Sequence, residues 1–173
     1  MKSNILLVIA FLGTVFCSLA QDQSQFEYQS SGLSSFVVTD VNDKPASQLF
    51  SETKHWISEQ KKTYQFEVID EVGDKIIQLS GEAKDVIIYK NYTSNLKFNL
   101  EIAFKNNRYK FEISDLQYEY YNSYYDLPNI NNPNQPELER HFENAKIDLP
   151  EFFNKLNKSL KKSMDKQSKL GGW

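Results

Sequence analysis

From Leu96 to Tyr120 the chain alternates apolar and polar residues with a single slip. Leu96, Phe98, Leu100, Ile102 and Phe104 fall on one side, and Lys97, Asn99, Glu101 and Ala103 on the other. That period of two belongs to a strand with one buried face. Asn106-Asn107 predicts a type I′ turn, because asparagine tolerates positive φ. Folding back there sets Phe104 opposite Tyr109, Ile102 opposite Phe111 and Leu100 opposite Ile113. The phase slips after Ile113, and a bulge near Ser114-Asp115 restores it, with Leu116 opposite Phe98 and Tyr118 opposite Leu96. Upstream, residues 66–69 and 75–81 predict a hairpin about a two-residue loop, Gly73-Asp74, which places Val68 opposite Leu79 and Phe66 opposite Gly81. Residues 86–89 are a further strand segment or the lead-in to the next one.

Two stretches switch to helical spacing. Residues 36–39 read as a short strand, after which Asp43, Pro45 and Ser47 punctuate a helix start, with Ser47 as the expected N-cap. Leu49, Phe50, Thr53, Trp56 and Ile57 then share one face, with Trp56 as the anchor. Near the C-terminus Pro150 is expected at the first helical position. Phe153, Leu156, Leu160 and Met164 form a narrow apolar stripe there, and Lys155, Lys158, Lys161, Lys162, Lys166 and Lys169 crowd the remaining surface. Between the two lie an Asn/Pro/Tyr-rich loop over 122–136 and a short helix over 137–144. No internal repeat is visible.

The N-terminus changes the picture of the compartment. Lys2, an apolar run over 5–16 and the small residues Ser18 and Ala20 have the form of a cleaved signal peptide. The run is shorter than the roughly 20 residues of a membrane span, and no later stretch is apolar enough to be one. Residues 1–20 are therefore expected to be removed and 21–35, rich in Gln and Ser, to form a flexible leader. The protein is expected to be exported, to the periplasm or the outside. Cys17 does not sit in a lipoprotein context: Phe16 and Thr14 stand where such signals carry a small residue and leucine. Cleavage after Ala20 removes the one cysteine, so disulfides drop out and a core must supply the stability. The 12 Phe, 10 Tyr and 2 Trp residues are ample filling for one domain.

Charge and motifs narrow the chemistry. Residues 21–149 carry 13 Lys/Arg against 21 Asp/Glu, and residues 150–173 carry 6 against 2. A nucleic-acid binder would show a basic face on the folded domain. His55 with Glu59, and His141 with Glu137, share helical faces, but two ligands do not make a structural zinc site. No G-x-S-x-G motif, supported S-x-x-K set or phosphate-cradling glycine loop occurs. No catalytic residue, metal site or cofactor is therefore assigned. Two candidate binding features remain. Tyr118, Tyr120, Tyr121, Tyr124 and Tyr125, with Asn and Asp nearby, suit a sugar ring or a protein partner; equally, Tyr118 and Tyr120 could finish the core face. The lysine helix, through Lys155, Lys158, Lys161, Lys162 and Lys166, could dock on its own acidic body, touch an anionic membrane surface peripherally, or bind an acidic partner.

The run "FVVTD…SQLFSETKHWISEQ…YQFEVIDEVGDKIIQLSGEAK…LKFNLEIAFKNNRYKFEISDLQYE" resembles a family of secreted Bacteroidetes proteins classed as a domain of unknown function with a TBP-like fold. The resemblance covers residues 36–119 and rests on the "KHW" tryptophan, the "IIQLSGEA" strand and the "IAFKNNRYKFEISDL" hairpin. It implies an α+β domain over 36–121, with an N-terminal helix packed on a curved antiparallel sheet, followed by a helical extension over 137–173. It carries over no activity and no site residues. DNA binding does not transfer with the fold, and the face opposite the core is mixed in charge. Residue chemistry and resemblance together lead to an exported, non-catalytic envelope protein that binds a protein or a glycan. A structural accessory of an envelope complex is the alternative reading, and an enzyme without a recognisable motif a weaker one.

Overall fold

A computed structural model describes residues 23–30, 32–90, 92–120, 122–127 and 143–170, with main chain only at 89, 120 and 166–170. The expected signal segment, Tyr121, and the greater part of the 122–136 loop and of the 137–144 helix lie outside those residues. The elements are β1 (Tyr28–Gln29), β2 (Gly32–Leu33), β3 (Phe36–Asp40), α1 (Ala46–Tyr64), β4 (Glu67–Val72), β5 (Ile76–Tyr89), β6 (Tyr92–Lys105), β7 (Arg108–Tyr120), β8 (Ser123–Asp126) and α2 (Ala145–Leu170). One antiparallel sheet runs β3-β7-β6-β5-β4, and β8 pairs with the far end of β7. The helices contact each other and cover one face of it.

The hairpin β6–β7 has the expected register, Phe104 to Tyr109 and Leu100 to Ile113, and the bulge falls at Asp115, whose φ is 50°. Its turn differs. Only Asn107 lies in the left-handed region, at φ 65°, so it is not type I′. Both asparagines are engaged with a distant segment. Asn107 Oδ1 accepts the Lys44 N–H at 3.0 Å, and Asn106 Oδ1 accepts the Ala46 N–H at 3.0 Å. The turn thereby caps α1 from across the chain. Helix α1 starts two residues earlier than expected, with Pro45 rather than Ser47 in the N-cap position.

The β4–β5 connection holds three residues, 73–75, since Val72 pairs with Ile76. A bulge at Ile69 absorbs the extra residue, and Val68 meets Leu79 as expected. Beyond β4, a Cβ on Gly81 would stand 2.8 Å from the Phe98 ring and 2.9 Å from Phe66, so only glycine lets those rings close over the strand. Residues 86–89 continue β5 past an irregularity between Ala83 and Ile87.

The buried face of α1 is the expected one with a surprise, Glu52. Helix α2 begins at Ala145, not at Pro150, which sits inside it. Ala145 and Leu149 are buried, Asp148 Oδ2 accepts the Ile88 N–H at 3.0 Å, and Asn144 Nδ2 donates to the Ile88 carbonyl at 2.5 Å. Tertiary contacts thus hold the turn ahead of the proline. The stripe Phe153, Leu156, Leu160 and Met164 is fully inside, so α2 docks on its own domain.

Residues 23–35 are not a free leader. Phe26 is 1% exposed between Phe111 and Phe153, and Asn154 brackets its main chain, accepting from the N–H at 2.7 Å and donating to the carbonyl at 2.9 Å. One aromatic in a polar run leaves no periodic trace, which hides it from pattern reading.

At the meeting of loop and helices lies a buried ion pair. The Lys44 ammonium donates to both Glu52 oxygens at 2.6 Å and to the Met164 carbonyl of α2 at 2.6 Å, and both side chains are 4% exposed. Gln48 adds a donor to Glu52 at 2.9 Å. Replacing Lys44 by Met leaves a carboxylate buried without its cation and is expected to cost about 3–5 kcal/mol. The pair Lys44→Met with Glu52→Leu is expected to recover most of that loss, read as a double-mutant cycle in guanidinium unfolding.

Candidate binding site on the uncovered sheet face

Because both helices lie on one side, the other side of the sheet has no covering layer among the described residues. Cross-strand pairing orders it into rows: Val72, Ile76, Ala103, Lys110 and Val38; Asp70, Gln78, Glu101, Glu112 and Phe36; Glu67, Ser80, Asn99 and Ser114; Glu82, Lys97, Gln117 and Asp126. Carboxylates dominate. Glu101 and Glu112 stand directly opposite each other, an arrangement that repels, and each is balanced by a donor: Gln78 Nε2 at 2.7 Å and Lys110 Nζ at 2.5 Å.

Where the β6–β7 bulge bends this face, an open cleft of about 390 Å³ forms over Gly81. Gln65, Glu67, Ser80, Glu82, Lys97, Asn99, Asp115 and Gln117 line it. Two of its carboxylates are held: Asp115 accepts from Asn99 at 2.8 Å and Glu82 from the Tyr124 hydroxyl at 2.9 Å. The Lys97 ammonium lies 3.7 Å from the Tyr124 ring centroid and 3.8 Å from Glu82. The lining is polar and offers hydrogen bonds and charge rather than apolar area.

Strand alternation divides the tyrosines. Residues 123–126, expected as loop, form β8 instead, turning at Asn122 with φ 62° and pairing Tyr118 with Tyr125 and Glu119 with Tyr124. Tyr118 is buried on the helix side, and the half-exposed Tyr125 packs its ring 6.0 Å from it. Tyr124 alone of the described set faces the uncovered side beside the cleft. Tyr120 contributes its main chain opposite Ser123, and Tyr121 lies outside the described residues. Alternation alone sets Lys97 on the polar face but does not bring Glu82 to it. Pairing the strand "IIQLSGEAK" antiparallel with "LKFNLEIAF" so that Ile77 meets Ile102, apolar face to apolar face, sets them opposite each other.

Desolvation first, then the hydrogen bond and charge of Glu82 and the charge of Glu119, push the Tyr124 hydroxyl up to about 12, against a smaller opposing pull from Asn95. Tyr109, buried among Asn157 and Thr39, is also raised, chiefly by desolvation.

The other candidates are spread out. Lys155, Lys158, Lys161 and Lys162 stand exposed along α2, and Lys166 is described by main chain only. The apolar stripe that a membrane-surface helix would insert is already used by the core. His55 pairs with Glu59 at 3.2 Å on the exposed side of α1, and His141 lies outside the described residues. Among the described residues no group of three His, Cys, Asp or Glu side chains could hold a metal ion.

Residues 36–119 match a family described as "Domain of unknown function (DUF4468) with TBP-like fold". This domain of the chain belongs to that family. Two solved structures share its architecture. A TBP-like protein from Parabacteroides distasonis superposes with a TM-score of 0.57 at 19% identity, covering 75% of this chain and 90% of that one. A DUF4468 family protein from Bacteroides ovatus gives 0.60 at 10% identity, covering 80% and 90%. At those identities the likeness shows the fold alone. No curated protein matches the chain. The DUF4468 match runs from β3 into β7, so it takes in α1 and the cleft, whereas Phe26 and α2, which complete the core, lie outside it.

Tyr124 lies on β8, just past the DUF4468 match, and its raised hydroxyl has a readable consequence. The folded state holds the Tyr124 proton more tightly than the unfolded state does, so this contribution is intact below about pH 10 and is lost as pH rises through about 12. Absorbance at 295 nm should show the Tyr124 step in that window. Tyr124→Phe is expected to abolish it and to flatten the fall in Tm across the same range.

Proposed function

We propose that the chain is an exported, non-catalytic binding protein of the cell envelope, which meets a protein or glycan partner on the uncovered sheet face beside Tyr124. The observation that carries this reading is the open polar cleft on a face that no other element covers. Among the described residues nothing meets its Gln65, Glu67 and Ser80 side chains, while Asp115 accepts from Asn99 and Ser114, and Glu82 accepts from Tyr124 beside Lys97. That arrangement suits recognition of a hydroxyl- or amide-rich ligand. A phosphate backbone would meet a carboxylate-lined surface, which argues against nucleic acid. Export is supported by the pattern of residues 1–20, and no helix among the described residues is long and apolar enough to cross a membrane.

The test is crosslinked co-purification of the tagged mature chain from its native envelope fraction, read by mass spectrometry and glycan analysis. A near-stoichiometric protein or a defined glycan, lost with Tyr124→Ala while Tm stays nearly unchanged, is the expected result. Capture that Tyr124→Ala leaves intact would move the site elsewhere, and turnover of any captured molecule would overturn the non-catalytic reading.

A further inference from the structure

The two edges of the sheet are finished differently. Along β3, the Val38 N–H donates to the Gln23 carbonyl at 2.9 Å, so the chain's own N-terminal residues lie against that edge. Along β4, pairing runs to β5 alone, and among the described residues no main-chain bond meets its other side. All six residues of β4 are exposed. A strand left open in this way presents a row of N–H and C=O groups, a template for another extended chain.

The side chains of β4 are not those of an edge that ends in water. Val68, Ile69 and Val72, all branched and apolar, are 47%, 58% and 51% exposed. The charges among them are balanced on one side only. On the helix side, Glu71 is held by Lys54 of α1 at 3.0 Å. On the uncovered side, Glu67 has no partner among the described residues, and Asp70 accepts only the Glu71 N–H at 2.8 Å. The lysines of that face, Lys97 and Lys110, already stand against Glu82 and Glu112. These charges also speak against a second copy as the occupant. Two β4 strands laid antiparallel would crowd Glu67 and Asp70 of both copies onto one side of the ladder, and like charges across a strand pair are destabilising. The bulge at Ile69 interrupts a copy-to-copy ladder as well.

We infer that the β4 edge takes up an extended segment of a partner protein in which basic and apolar residues alternate. Its main chain adds a strand to the sheet, which supplies affinity, and the alternate side chains supply specificity. Lys or Arg side chains lie on the uncovered side against Glu67 and Asp70, and apolar side chains lie on the helix side against Val68. The edge touches the cleft only at Glu67, and Tyr124 has no part in it.

The experiment uses the mature chain and a fluorescein-labelled octapeptide of alternating Lys and Val, followed by anisotropy at physiological salt. Saturable binding is expected, weakened about fivefold or more by Asp70→Lys. Glu151→Lys, the same charge change at an exposed position of α2, should alter it by less than about twofold. N-methylation of the Lys residues and of the Val residues, one set at a time, should give unequal results. Successive main-chain N–H groups of a strand point to opposite edges, so one set blocks the ladder and the other spares it. Absence of saturable binding, equal losses in Asp70→Lys and Glu151→Lys, or equal effects of the two methylated sets would overturn the inference. Loss of binding in Tyr124→Ala would move the peptide into the cleft and overturn it too. A mature chain that sediments as a dimer, and that Asp70→Lys returns to monomer, would assign the edge to a second copy instead.

Discussion

The ammonium of Lys44 is the point on which the arrangement of elements turns. An ion taken out of water demands several acceptors at once, because an unpaired charge in the interior is far costlier than an unmade apolar contact. Here the acceptors come from different places: two oxygens of Glu52 on α1 and a main-chain carbonyl of α2. The same residue's N–H and carbonyl are bonded to Asn107 in the β6–β7 turn, the carbonyl at 2.8 Å. A single position therefore fixes a loop, two helices and a hairpin relative to one another. Apolar packing tolerates a range of helix placements, whereas this constellation tolerates few.

The remaining stitches repeat that logic with neutral groups. Trp56 donates to Ser159 at 3.1 Å between the helices, Asn154 holds the strand-like approach to Phe26, and Asn157 ties α2 to both β3 and β7. Each lies on an otherwise apolar helical face, so each fixes rotation as well as distance. The outcome is a two-layer domain whose second layer is on one side only. The polar face is the direct result of that asymmetry, since strands with one buried face must offer the other to solvent or to a partner.

What could be read from the chain follows the same division. The hairpin register, the bulge at Asp115, the buried face of α1 and the stripe of α2 were legible, because each repeats a periodic signal over several residues. The start of α1 was not, because its cap comes from Asn106, some sixty positions away in the chain. Pro150 suggested a helix start that contacts from Asn144 and Asp148 to Ile88 displaced. Glu52 and Lys44 look like ordinary surface charges, and only their mutual burial gives them meaning. The tyrosines were visible as a group, yet pairing with β8, itself written in loop-like residues, decides which of them face the cleft.

The bends of this sheet are made almost without glycine. Asp85, Asn107 and Asp115 adopt left-handed backbone at φ 55°, 65° and 50°, a conformation that side chains with a Cβ ordinarily avoid. Each repays its strain by a tether: Asp85 accepts from the Thr93 hydroxyl, Asn107 from Lys44, and Asp115 from Asn99. Sequence drift at these sites is therefore pulled two ways. Glycine would relax the backbone and cut the tether, alanine would cut the tether without relaxing the backbone, and Asn and Asp tolerate the one while keeping the other. The curvature of the sheet is thus written in a narrow alphabet, two aspartates and an asparagine at three bends.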